Sequence, residues 1–191
     1  MKRNVMYLTI FVLASMATAI LYITPHMGFE SRAYKEIVAR LKNTKIEEER
    51  FYYLGDAAKK AFDNGDYSSA KAYAEELFTI MHKYKVNWNY GNAIQDSNVV
   101  LGRLALREGR IEDAKRHLID AGKSPGSCSM KSFGPNVSLA KDLLEKGEKD
   151  TVVEYFKLCK NFWEMHRDRL DDWIALVQAG RMPHFGANLR Y

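Results

Sequence analysis

The stretch Leu101–Gly122, LGRLALREGRIEDAKRHLIDAG, decides how the chain is read. Apolar residues recur at helical spacing on both sides of a Glu108-Gly109-Arg110 turn, and small residues stand at Gly102, Ala105 and Ala114. Two antiparallel helices approach closely only where small side chains meet, so the pattern predicts a helical hairpin. The same pattern flanks Gly65 and Gly147. Counting back from Gly65, Gly109 and Gly147 aligns Ala57, Leu101 and Leu139 at eight residues, Ala58, Gly102 and Ala140 at seven, and Ala61, Ala105 and Leu143 at four. Counting forward aligns Ala70, Ala114 and Val152 at five, Ala74, Leu118 and Phe156 at nine, and a mixed Leu77, Ala121 and Cys159 at twelve. The larger residues of these columns are expected to fill the space between successive pairs.

A helix-turn-helix unit repeated three times resembles the tetratricopeptide repeat family, whose period is about 34 residues. The clearest copy is LGRLALREGRIEDAKRHLIDAGKSP, ending at Pro125; AAKKAFDNGDYSSAKAYAEEL is a second and LAKDLLEKGEKDTVVEYFKLC a degenerate third. The resemblance spans roughly Phe51 to Trp163. It departs from the family in its glycine spacing, 44 residues and then 38, and in lacking Trp at the start of every unit. It implies an all-α fold: a right-handed α-solenoid of about three helix pairs whose first helices line a concave groove. Carried over, the columns facing the groove are Lys59, Arg103 and Lys141, then Phe62, Leu106 and Leu144, then Asp63, Arg107 and Glu145. A basic ladder beside an apolar stripe suits an extended peptide or protein partner that carries acidic side chains, because cationic side chains donate charge-assisted hydrogen bonds to carboxylates. Arg103, in the best-formed unit, is expected to contribute most; the alternative is a solvated charged face.

The flanks read differently. After Met1-Lys2-Arg3-Asn4 comes the uncharged nineteen-residue run Val5–Ile23, long enough to cross a bilayer as a helix. Residues 1–25 are therefore expected to be a transmembrane signal-anchor and 26–191 the helical domain. The competing reading is a signal peptide cleaved after Ala17-Thr18-Ala19, which would release a secreted protein. Lys2 and Arg3 favour a cytoplasmic N-terminus with the domain exported, to the periplasmic or extracellular side; Arg32, Lys35 and Arg40 oppose that orientation. Tyr34, Ile37, Val38 and Leu41 form an apolar helical stripe, and Thr44 precedes Glu47 at capping-box spacing. Near the C-terminus, Asp168 and Asp171, then the stripe Leu170, Trp173, Ile174 and Val177, then Gly180 and Pro183, predict a capping helix. The tail from Arg181 has no period.

Net charge is +5, and +3 without Lys2 and Arg3, which leaves 27 basic against 24 acidic residues. That is too dispersed for a nucleic-acid surface. No nucleophile motif, phosphate-binding loop or metal-ligand spacing occurs, so neither a catalytic activity, a metal nor a cofactor is expected. Cys128 and Cys159 are the only cysteines; a disulfide would close a loop of about thirty residues, whereas a buried thiol suits Cys159 equally. The loops Asn87–Asn92 and Ser132–Asn136 combine rings with amides: Trp88 with Asn92, Phe133 with Asn136. They are expected to lie near each other at one edge of the groove, either as a peptide- or glycan-recognition surface or as plugs between units. The function expected is a membrane-anchored protein-interaction scaffold, the alternative an envelope ligand- or glycan-binding accessory protein.

Overall fold

The stripe of Tyr34, Ile37, Val38 and Leu41 lies along one helix, α1 (32–43), with Ile37 and Leu41 buried and the other two half-buried. The computed structural model describes residues 32–190, so Val5–Ile23 and the expected membrane helix lie outside the described residues. Eight further helices follow among the described residues: α2 (Glu47–Asp63), α3 (Tyr67–Ile80), α4 (Tyr90–Arg107), α5 (Ile111–Gly122), α6 (Cys128–Phe133), α7 (Ser138–Leu144), α8 (Lys149–Cys159) and α9 (Arg169–Gln178). Single 3-10 turns occupy Met81–Tyr84 and Gly186–Leu189. No strand is present among the described residues, so the fold is all-α. No described helix is long and apolar enough to cross a membrane.

Three hairpins, α2/α3, α4/α5 and α7/α8, follow one another, and each turns at one of the aligned glycines. Gly65, Gly109 and Gly147 have φ of 78°, 77° and 89°, a region that side chains disfavour. Each turn closes with the same pair of hydrogen bonds. The glycine N–H donates to Phe62, Leu106 or Leu144, and the next N–H donates to Ala61, Ala105 or Leu143. That is the helix-ending pattern in which a left-handed residue satisfies the last carbonyls. The first helices touch in series, α2 on α4 and α4 on α7, while α5 packs on α7 and α8.

The aligned columns are the interior. Every member is buried except Leu101, which is half-buried. At Gly102 the reason for the small residue is direct: a Cβ there would lie 2.3 Å from Leu139 Cδ2 and 3.0 Å from His117 Cβ. Both neighbours are held, Leu139 because it is fully buried and His117 by a 2.9 Å hydrogen bond between its Nδ1 and Asn98 Oδ1.

The capping box at Thr44 is not formed. Ile46 precedes α2 without a side-chain cap, and the Thr44 N–H instead donates to Arg40 O, closing α1. Glu47, Glu48 and Glu49 fill the first turn of α2, placing negative charge at the positive end of its dipole. A side-chain cap forms instead at the start of α3, where Asp66 accepts from Ser69 N at 3.1 Å and from the Tyr34 hydroxyl at 2.7 Å, tying α1 to the α2–α3 turn. These donors hold the Asp66 carboxyl down at about 2; burial and the Asp66 hydrogen bond push Tyr34 up to about 12.

The expected C-terminal helix forms as α9, burying Leu170, Trp173 and Val177. Asp168 precedes it at φ 63° and makes no side-chain cap, so the cap expected from its spacing is absent. Trp173 packs on Phe156, Trp163 and Phe185, with ring centroids 5.5, 5.6 and 5.0 Å away. The tail, which carries no periodic signal, returns to the body. Asn188 Nδ2 donates to the carbonyls of Phe133 and Pro135 at 2.9 and 3.0 Å, and its own carbonyl accepts from Val137 N.

Two outcomes follow from this packing. Replacing Gly102 with Val overfills the α4–α5–α7 contact and is expected to cost about 1–3 kcal/mol in urea unfolding; unchanged stability would contradict the close approach. Because the Asp66 pKa is lowered by folding, its stabilisation is present above pH 3.8 and lost as pH falls through about 2. The stability gap between wild type and Asp66→Ala, measured by denaturant titration across that range, is therefore expected to close at the acid end.

Candidate functional site

The basic column lies on the face made by α2, α4 and α7, and each of its cations already has a carboxylate. Lys59 Nζ lies 2.9 Å from Asp96 on α4 and 3.9 Å from Asp56. Arg103 Nε lies 2.8 Å from Asp142 on α7, and another guanidinium nitrogen is 3.4 Å from Asp63 on α2. Lys141 pairs with Glu145 one turn on. Two of the three rungs thus join successive first helices, so the ladder is an internal strut before it is a binding surface. The Lys59 and Asp96 side chains keep only 19% and 16% exposure. Burial alone would lower the Lys59 pKa, but Asp96 and Asp56 outweigh it and leave it raised. Burial raises the Asp96 pKa, Lys59 opposing it. Gly55 makes the contact fit, since a Cβ there would lie 2.5 Å from an Asp96 carboxylate oxygen.

The apolar and mixed columns divide in the same way. Phe62 is buried, with Arg103 lying 4.2 Å over its ring centroid. Leu106 is half-buried and Arg107 is exposed, its guanidinium 3.7 Å over the Tyr67 ring. Arg107 makes no ion pair among the described residues. Arg103, Leu106, Arg107, Asp142, Glu145 and Lys146 line an open depression of about 270 Å³.

The two aromatic loops converge only in part. Asn92 and Phe133 line one depression of about 180 Å³ with Lys59, Gln95, Asp96 and Ser129. Asn92 Oδ1 accepts from Ser127 Oγ at 2.7 Å, fastening the α5–α6 link to the start of α4. Trp88 lines no part of that depression: it is 61% exposed and stacks on Tyr52 at 5.7 Å. Nor is Asn136 a surface amide. It is buried, its Oδ1 accepts from Ser138, its N–H donates to Gln95 Oε1 at 2.8 Å and its carbonyl accepts from the Tyr155 hydroxyl at 2.8 Å. Phe133, at 59% exposure, is no plug.

Cys128, exposed at the start of α6, and Cys159, buried in the main core, are both free thiols. Burial pushes the Cys159 thiol far up, so it stays protonated. Among the described residues no three His, Cys, Asp or Glu side chains converge as metal ligands. Asp96, Asp142 and Gln95 are the residues that sequence reasoning missed. Each belongs to none of the aligned columns and acquires its role only when helices distant in sequence are brought together.

Compared with models of protein families, with curated proteins and with solved structures, the chain matches none.

The Lys59–Asp96 pair can be tested by its asymmetry. Lys59→Met leaves the carboxylate buried without its cation and is expected to cost roughly 3–5 kcal/mol, whereas Lys59→Met with Asp96→Leu recovers most of it. Equal stability of the single and double variants would show that the pair is not the strut described.

Proposed function

We propose that the chain is a tetratricopeptide-like α-solenoid that serves as a membrane-anchored scaffold, binding a partner protein or peptide on the α2/α4/α7 face. The observation that carries this reading is the repetition itself. Three hairpins with the same turn hydrogen bonds place their first helices side by side, which gives an extended face.

On this reading the contact shifts from the one expected at Arg103. With Asp63 and Asp142 beside it, Arg103 gives an acidic partner little net attraction, and its stacking on Phe62 serves the fold. Leu106 and Arg107 remain available in the same depression, one apolar and one a cation not neutralised by a described carboxylate. An exposed Arg beside an apolar contact is a common energetic centre of protein interfaces. The scaffold has no chemistry of its own in this account, and the domain is held at the membrane by Val5–Ile23.

Volume weighs against ligand or glycan binding at the aromatic loops. The Asn92–Phe133 depression, about 180 Å³, is smaller than the roughly 300 Å³ at which small-molecule sites begin, and Trp88 and Asn136 do not contribute to it.

Photo-crosslinking from defined positions in the native membrane tests the reading. A photoreactive residue at Leu106 is expected to trap the same protein repeatedly, and one at exposed Lys157 on α8 is not. Specific crosslinks from Lys157 alone, or from neither, would overturn the assignment of the binding face.

A further inference from the structure

The net charge of the described chain is concentrated in one place. Residues 32–45 carry five basic side chains, Arg32, Lys35, Arg40, Lys42 and Lys45, against the single acid Glu36. From Ile46 onward the chain holds 22 basic and 22 acidic residues, and is neutral. All five cations of α1 and its trailing loop are exposed, because α1 turns Ile37 and Leu41 inward. Arg32 pairs with Glu36 and Arg40 lies 5.9 Å over the Tyr53 ring. Lys35, Lys42 and Lys45 make no ion pair among the described residues.

This strip ends at a cluster of protruding apolar residues. Ile46 is 60% exposed, Val86 fully exposed and Trp88 61% exposed. They come from two loops drawn to one end of α2: Lys83 and Tyr84 both bond Glu47, and Trp88 stacks on Tyr52 next to the Tyr53 that carries Arg40. Separate apolar tips with Lys45 beside Ile46 and Lys85 beside Val86 suit a bilayer interface. There a Trp ring and aliphatic tips enter the headgroup boundary while ammonium groups remain with the phosphates. The exposed Glu47, Glu48 and Glu49 at the start of α2 oppose that charge, and Glu47 is paired with Lys83.

The length of chain before α1 points to the same occupant. Tyr34 bonds Asp66, so α1 begins at the end of α2 opposite to Ile46 and Trp88. The seventeen residues of α2 separate the two ends by about 25 Å. From Thr24 to Ser31 eight residues can span up to about 28 Å. A bilayer holding Val5–Ile23 is therefore within reach of the whole strip, provided that α1 lies along its surface.

We infer that α1 and the Ile46, Val86 and Trp88 tips form a docking surface for an anionic phospholipid bilayer, laying the helical body flat beside its own anchor. The inference rests on the reading of Val5–Ile23 as a membrane helix. Docking sets the orientation of the scaffold, whereas the anchor alone sets only its distance from the membrane.

Trp88 supplies the test, because the other two tryptophans, Trp163 and Trp173, are 1% and 3% exposed. The full-length chain is reconstituted into vesicles of phosphatidylcholine alone or mixed with phosphatidylglycerol, each with acyl chains brominated near the headgroup. Tryptophan quenching is expected in the mixed vesicles, weak in phosphatidylcholine, and absent in Trp88→Phe. Charge reversal at Lys35, Lys42 and Lys45 is expected to weaken docking by at least roughly fivefold per lysine. Trp88 remaining open to aqueous acrylamide in both vesicles, while the protein floats with them, would overturn the docking surface and leave the anchor standing; Trp88 shielded only when a protein partner is added does the same. Equal quenching in both lipids would contradict the part given to charge. A chain that floats with neither vesicle would remove the anchor reading and this inference with it.

Discussion

Two close approaches between successive first helices set the rest of the structure: α2 meets α4 at Gly55, and α4 meets α7 at Gly102. At these points the bare backbone of one helix receives a side chain of the next, Asp96 at Gly55 and Leu139 at Gly102, so the helices approach more closely than two facing side chains would allow. An ion pair stands beside each approach, Lys59 with Asp96 and Arg103 with Asp142. The alanines of the aligned columns continue the close packing along each hairpin, and the large residues of the last hairpin, Phe156 above all, join it to Trp163, Trp173 and Phe185. The buried hydrogen bonds of Gln95, Asn136 and Tyr155 then fix the short α6–α7 link against α4 and α8.

This arrangement separates the charges that serve the fold from those available to a partner. The face most suited to a ligand by analogy with helical repeats is nearly neutral, since Lys59 and Arg103 are paired between helices and Lys141 with Glu145 one turn on. Free positive charge lies instead on α1, at the edge nearest the segment read as a membrane helix. On the proposed reading, the scaffold would have two working surfaces with different chemistry. One is a face of modest polarity around Leu106 and Arg107, and the other a basic strip tipped with exposed apolar residues.

Periodicity made the hairpins legible. Gly65, Gly109 and Gly147 mark every main turn, and the columns counted from them identify the buried positions, because both signals arise from contacts within a few helical turns. The C-terminal helix was legible for the same reason. Long-range pairing was not: Arg103 and Asp142 lie 39 residues apart, and nothing local in either neighbourhood reveals the other. Asn136 looked like a surface amide because its loop is rich in Gly, Pro and Asn, yet Gln95 and Tyr155 on distant helices bury it. Thr44 had the spacing of a cap, but spacing does not show that α1 would use its N–H first. The tail could not be placed at all, since Phe185 and Asn188 act as single plugs and clasps with no repeat to announce them.

The central claim is that the basic column is structural before it is a binding surface. A double-mutant cycle on Arg103 and Asp142, read by urea unfolding of Arg103→Leu, Asp142→Leu and the pair, tests it most directly. The account predicts a coupling energy of about 1 kcal/mol, the scale of a half-buried, hydrogen-bonded ion pair. Strict additivity of the two single changes would contradict it and return Arg103 to the binding face.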